Sequence, residues 1–496
     1  MHTPREASSR HHRSPVRNPS TLLRSLWLLF LAVAGLSGAA LAQSLSPGGP
    51  VDFGSVPIGT TSTTTNLTFS VAAGHVVTVG AIDALTDGAT GKDFVISNQT
   101  CVGTLAGPVT CTISIAFKPS VLGLRLGELF IKDGTGTVTN RVPLRGAGLG
   151  PQVVLSPAAA VATTSAASLS PATLNPSSTV FDGNGNLFID DAVNGRILER
   201  DTTGAYTVVG TIPASPSGAP FSSITITGDG TLYISSPNTS TIYSLPPGGT
   251  VAPLVITGVV LGQPTGLAVD GFGYLYAADA ATNGIVRIDL ENGNAAVTLT
   301  LTGLGTPLAG PEGLSVDDAD ALFVADATNN RIVNIDLHTT VSLTNPATVV
   351  PIAGETLSAP AGVVVNAAGG LSIADTGNSR LVESPLTGSA FPIALTGSTL
   401  ATPAGVTRLP NGDLLVSDTV AGLVQVNRTT SSLTFPTSTL VYTTDTVDGD
   451  LPLTVENTGS YTVTVPSVGA PDISSPSFFS DTTGTCPSSA SGQLQI

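Results

Sequence analysis

Five aspartates, Asp191, Asp279, Asp326, Asp375 and Asp418, recur along the middle of the chain, and three are followed five residues later by an arginine: Arg196, Arg331 and Arg380. Carboxylates repeated in this way admit two readings. They could converge as a ring of ligands around a common mouth, or each could cap backbone amides of its own turn and pair with its own arginine. Because these residues recur with the surrounding pattern instead of breaking it, the architectural reading is preferred. A second group, Glu312, Asp317, Asp318 and Asp320, offers hard oxygen ligands that suit calcium, and solvated loop charge explains it equally well. Asp182-Gly183-Asn184-Gly185-Asn186 has the spacing of part of a calcium loop but lacks the distal bidentate glutamate, so a hairpin turn is expected there.

Nucleophilic and zinc chemistry find little material. Beyond residue 42 the only histidines are His75 and His338, too few for an imidazole-built zinc site and poor support for a Ser-His-acid triad. No Gly-x-Ser-x-Gly elbow stands at a strand-to-helix turn. No catalytic residue is assigned. Trp27 is the sole tryptophan and seven tyrosines are scattered, which disfavours a glycan platform.

Residues 1–42 read as a leader. Arg5, Arg10, Arg13, Arg17 and Arg24 precede an apolar run from Leu26 to Leu36, which closes on small residues and Ala40-Leu41-Ala42. The run is shorter than the roughly 20 residues of a spanning helix. Cleavage near Ala42 is therefore expected, with secretion or an extracytoplasmic cell-surface location and no transmembrane segment in the mature chain. Without the leader, 13 basic side chains face 33 acidic ones, a net of −20. That field opposes the counterion release on which nucleic-acid binding depends, so nucleic acid is excluded as a partner. Export permits disulfides: Cys101 and Cys111 flank a Gly-Pro turn and are expected to pair, leaving Cys486 without an assigned partner.

The elements that would position these residues come from a repeat. Leu187, Leu232, Leu275, Leu322, Leu371 and Leu414 each open a short strand, and they are separated by 45, 43, 47, 49 and 43 residues. Around each lie an apolar strand, a Gly/Asn/Asp turn, the leucine strand, a polar turn and a third strand. The runs of four to six apolar or alternating residues are too short for helices. Stretches such as Ala296 to Leu301 and Thr348 to Ile352 would add a fourth strand. Six small antiparallel sheets at this period predict a six-bladed β-propeller over 151–430. The last repeat lacks its outer strand, and Gln152-Val153-Val154-Leu155 is expected to supply it and close the ring.

The repeats resemble NHL repeats on Pro264-Thr265-Gly266-Leu267, Leu322-Phe323-Val324-Ala325-Asp326 and Asn378-Ser379-Arg380-Leu381-Val382, among others. The likeness covers about half the chain. The second repeat departs most, with Ser236 and Thr241 at the Asp and Arg positions. Some propellers of this kind are zinc lyases or metal-dependent gluconolactonases, and the resemblance implies the second only as an alternative, since an oxygen-ligand site needs no histidine.

Residues 45–150 show short strands at intervals of 8 to 12 residues, as in a sandwich. Val51-Asp52-Phe53-Gly54, Phe117-Lys118-Pro119 and Leu144-Arg145-Gly146-Ala147-Gly148 resemble the immunoglobulin-like domains of the bacterial choice-of-anchor D and ASPM-SPD-2-Hydin group. The pattern restarts near Leu433-Thr434-Phe435, and Thr485-Cys486 matches Thr100-Cys101, so 431–496 is expected to be an incomplete copy. The fold class expected is all-β, with an N-terminal immunoglobulin-like β-sandwich, the propeller and a partial C-terminal sandwich. The function expected is non-catalytic binding or scaffolding toward a protein or cell-envelope component, without a cofactor other than calcium at the acidic loop. A metal-dependent lactonase-like hydrolase or lyase is the alternative.

Overall fold

The computed structural model describes residues 42–216, 220–337, 344–429, 454–461 and 493–495, which are built almost wholly of strands and turns. Among them no helix is long and apolar enough to cross a membrane. His338 and Cys486 lie outside the described residues.

The N-terminal unit has two facing sheets. One orders Gln43–Ser46, Thr65–Val71, Val109–Phe117 and Phe94–Gln99; the other orders Val51–Pro57, Val138–Leu149, Gly123–Asp133 and Val76–Thr86, with short edge strands beside the last. Period-two alternation sends Leu67, Phe69 and Val71 inward from one sheet and Leu129 and Ile131 from the other. Phe94 and Phe117 stack at the centre of that core with centroids 5.0 Å apart. Cys101 and Cys111 are joined by a disulfide with Cα atoms 5.1 Å apart.

Six small sheets follow. Each starts with an inner strand, Ser178–Phe181, Ile224–Ile226, Pro264–Val269, Pro311–Val316, Pro360–Val365 or Pro403–Arg408, and continues outward by antiparallel pairing through the leucine strand and a third strand to a fourth. Neighbouring inner strands touch, and the last touches the first, so the sheets close a ring. The arrangement is propeller-like.

The Pro-x-Gly of the inner strands has a steric cause. A Cβ on Gly266 would stand 2.0 Å from the Glu312 carbonyl oxygen of the next sheet, and one on Gly313 or Gly362 would meet the following sheet's carbonyl at 2.4 Å. At these three contacts only glycine fits so close an approach, whereas the first two sheets carry Ser178 and Ser223 at the same position.

Closure differs from the expectation. Val153–Ser156 does not complete the sixth sheet; it pairs antiparallel with Thr454–Asn457. The outer strand is the next segment, Ala158–Thr163, antiparallel to Gly422–Asn427. Valine content pointed to the wrong segment. Ala158 and Ala160 are buried in the core formed with Val424 and Val426, so packing against that sheet outweighs their low strand propensity.

The sandwich docks on the end of the ring that carries the turns between first and second strands. Gly88 N–H donates to Gly228 O at 3.0 Å, and Gly183 N–H donates to Asp87 O at 3.0 Å. Arg141 pairs with Asp229 at 2.9 Å. Gln152 continues this cover by donating to Pro410 O at 2.9 Å. The opposite end carries the turns with the recurring aspartates.

Candidate functional site

Each recurring aspartate serves its own sheet. Asp326 accepts hydrogen bonds from Ala309 N–H at 2.7 Å, from Asn329 at 2.9 Å and from Arg331 Nε at 2.7 Å. Asp191 accepts from Asn175 N–H, Asn194 and Arg196, and Asp375 from Ser358 N–H, Asn378 and Arg380. The arginines reach on to carbonyls of the loop that enters the inner strand, Thr173, Thr306 and Thr356. Asp279 and Asp418 lack the arginine and accept backbone N–H groups instead, from Gly262, Gln263 and Ala281, and from Ala401, Thr402, Val420 and Ala421. All five carboxylates are buried under these contacts. They fasten the second turn to the incoming loop. In the second sheet Ser236 stands in for the aspartate and accepts the Thr239 hydroxyl at 2.8 Å.

The acidic group is divided by its strand. Asp317 holds the turn through Ala319 and Ala321 N–H groups. The Asp318 carbonyl and the Asp320 carboxylate receive the Arg145 guanidinium from the sandwich, which also lies 4.4 Å from the Phe272 ring centroid. Glu312 stands five residues back along an extended strand, about 16 Å away. Among the described residues no three His, Cys, Asp or Glu side chains are grouped as metal ligands.

Glu312 instead lines the cavity at the centre of the ring, a space of about 60 Å³ to which five inner strands and the segment leading into the second sheet's inner strand contribute. On the scale of a water molecule this holds a few waters or one small group. The residue after the inner-strand proline is alanine in the fifth and sixth sheets and threonine in the third, so the carboxyl breaks the repeat. Its Oε2 is buried with no hydrogen-bond partner among the described residues. Burial alone raises its pKa to about 7. The first two sheets break the pattern too, placing Ser178 and Ser223 where the other four have Gly266, Gly313, Gly362 and Gly405.

A second acid outside the repeat lies behind this wall. Asp190 occupies the position of Ser235, Ala278, Ala325, Ala374 and Ser417 in the other sheets. It is fully buried, accepts the hydroxyl of Ser222 from the next sheet, and has one oxygen without a partner among the described residues. Burial is the main cause raising its pKa to about 7; the Ser222 hydrogen bond opposes it and the Asp191 charge adds to it. Along the chain Glu312 falls among Asp317, Asp318 and Asp320, and Asp190 sits beside the recurring Asp191, so neither stands out in sequence order. Aligning the six repeats column by column exposes both.

No family model matches the sequence, and no curated protein matches it. Solved structures similar to part of it include a virginiamycin B lyase from Staphylococcus aureus (12% identity, 56% of this chain and 99% of that one, TM-score 0.39). A gluconolactonase from Xanthomonas campestris matches at 14% identity over 56% of this chain and 94% of its own, TM-score 0.44. An auxiliary nutrient binding protein from Bacteroides thetaiotaomicron matches at 12% over 77% and 96%, TM-score 0.42. None of these likenesses assigns an activity to this chain.

Proposed function

We propose that this chain is a secreted, non-catalytic binding or scaffold protein. In this reading a six-bladed NHL-type propeller engages a protein or cell-envelope component, and immunoglobulin-like modules of the choice-of-anchor D kind space it. One observation carries the preference for binding over catalysis: the central cavity contains a single carboxyl, Glu312, with no second acid or imidazole among its lining residues. A metal-dependent hydrolase needs several oxygen ligands converging on one ion. The recurring carboxylates that might have supplied them are committed to their own sheets.

The test uses the chain from Gln43 onward in two assays. Immobilised protein should retain a defined component of an envelope extract that free protein competes away, while a lactone panel is left unhydrolysed with or without added calcium. Lactone turnover that a chelator abolishes would overturn the binding reading in favour of the hydrolase.

A further inference from the structure

We infer that the central cavity of the ring binds a small organic ammonium group, the end of a primary amine or of a lysine side chain, with Glu312 as counter-ion and the Ser178 and Ser223 hydroxyls as acceptors. The inference rests on the binding reading above and names the chemistry of its ligand.

Three features of the cavity converge on this class. First, a carboxyl taken from water without a charged or hydrogen-bonding partner is costly, and a cation seated against it removes that cost. Among the described residues no charged side chain contributes to the shift at Glu312, which burial produces. Second, an ammonium has three donors and a compact shape. The first sheet lies opposite the fourth in a ring of six, so Ser178 and its neighbour Ser223 face the Glu312 side of the cavity. Ser178 and Ser223 place hydroxyls at the positions where the other four sheets have glycine. Third, Leu314, Val363 and Val406 are among the apolar lining residues and suit a short alkyl stem.

The charge count excludes the nearest competitors. A divalent ion is poorly matched by one carboxylate, because it seeks six or more oxygens and usually several charges. An anion would meet Glu312 directly. The excess of acidic over basic side chains also draws cations toward the ring.

The experiment is isothermal titration of the mature chain with n-propylammonium at pH 8 and low salt, alongside n-propanol, calcium and Nα-acetyl-lysine amide. The wild type should bind the amine, and Glu312→Gln should weaken it about tenfold or more, as expected for loss of a charge-assisted contact. Ser223→Ala should weaken it a few-fold, which keeps the site testable if the first variant folds poorly. Binding of the lysine derivative as well assigns the site to a side chain; binding of the free amine alone assigns it to a small solute. The inference is overturned if Glu312→Gln binds the amine like wild type, if n-propanol binds as well as the amine, or if calcium binds through Glu312 and the amine does not. Envelope-component retention separates the two proposals: Glu312→Gln should lose retention together with amine binding, retention by Glu312→Gln after amine binding is lost overturns the assignment of that ligand to this cavity, and retention by a wild type that binds no amine overturns only this inference.

Discussion

The two ends of the ring use carboxylates in opposite ways. At the end with the recurring aspartates, each acid is satisfied within its own sheet, by arginine and amides in three sheets and by amides alone in two. At the covered end, Asp182, Asp270 and Asp317 also hold their own turns, but other acids pair across units. Asp229 and Asp320 take arginines from the sandwich. Arg428, wholly buried, bridges Glu383 of the fifth sheet at 2.8 Å and Glu456 of the strand at 454–457 at 3.0 Å. The difference teaches a division for this chain: the acids that recur with the repeat build their own sheets, whereas Asp229, Asp320, Glu383 and Glu456 join units, Glu312 lines the cavity and Asp190 bonds Ser222 of the next sheet.

The largest way to break that contrast is at the covered end. Arg428→Met leaves Glu383 and Glu456 buried without their shared cation, and should cost about 3–5 kcal/mol in denaturant unfolding. Restoring charge balance with Glu456→Gln in the same chain should recover part of it. Burial and the nearby Glu383 charge already hold Glu456 at a pKa of about 8, against the pull of the arginines. A loss below about 1 kcal/mol would show that the covered end is not held by this network.

Asp190 sharpens the division through pH. Its folded pKa of about 7 is above the ordinary carboxyl value of 3.8, so the folded state binds the extra proton and stability falls as pH rises from about 4 to about 7. At about 1.4 kcal/mol per pKa unit the loss is bounded by about 4 kcal/mol. Asp190→Asn should flatten that part of the stability profile, and an unchanged profile would remove Asp190 from the exceptions. At the other end, Asp326→Ala should cost about 2–4 kcal/mol by stranding Arg331 and the Ala309 amide. Ser236→Ala, in the sheet without the acid, should cost about 1 kcal/mol or less. Equal costs would mean that the carboxylate adds nothing beyond a hydroxyl.

Legibility in the sequence follows the same division. The repeating residues were readable because the leucines and turn formers recur at a nearly constant interval, and local turn chemistry suffices to place Asp326 beside Arg331. What escaped was set by contacts distant in the chain. Ala158–Thr163 closes the ring because it packs on Val424 and Val426, some 260 residues away, and nothing in its own composition marks it as a strand. Asp320 looked like solvated loop charge until Arg145, 175 residues earlier, was seen to sit on it. Glu312 was grouped with acids near it in sequence, although an extended strand carries them apart by about 3.3 Å per residue.

The smallest expected effect of all lies at the sandwich contact, where two arginines make a graded pair. The Arg145 side chain is 3% exposed and stacks on Phe272, while that of Arg141 is 41% exposed beside Asp229. Burial shields the first pair from salt and lets the aromatic contact add to it, so Arg145→Ala should weaken the docking by about 1–2 kcal/mol at any ionic strength. Arg141→Ala should cost about 0.5 kcal/mol and lose even that in high salt, because an exposed pair is screened and its side chain is already ordered at an entropic cost. Limited proteolysis at the junction between the units reads both losses. Backbone contacts through Gly88 and Gly183 remain in either variant, so the sandwich should stay docked and be cleaved faster, not released. If the two substitutions proved equally salt-sensitive, Arg145 would be acting as a surface charge, and the covered end would differ from the open one in sequence only.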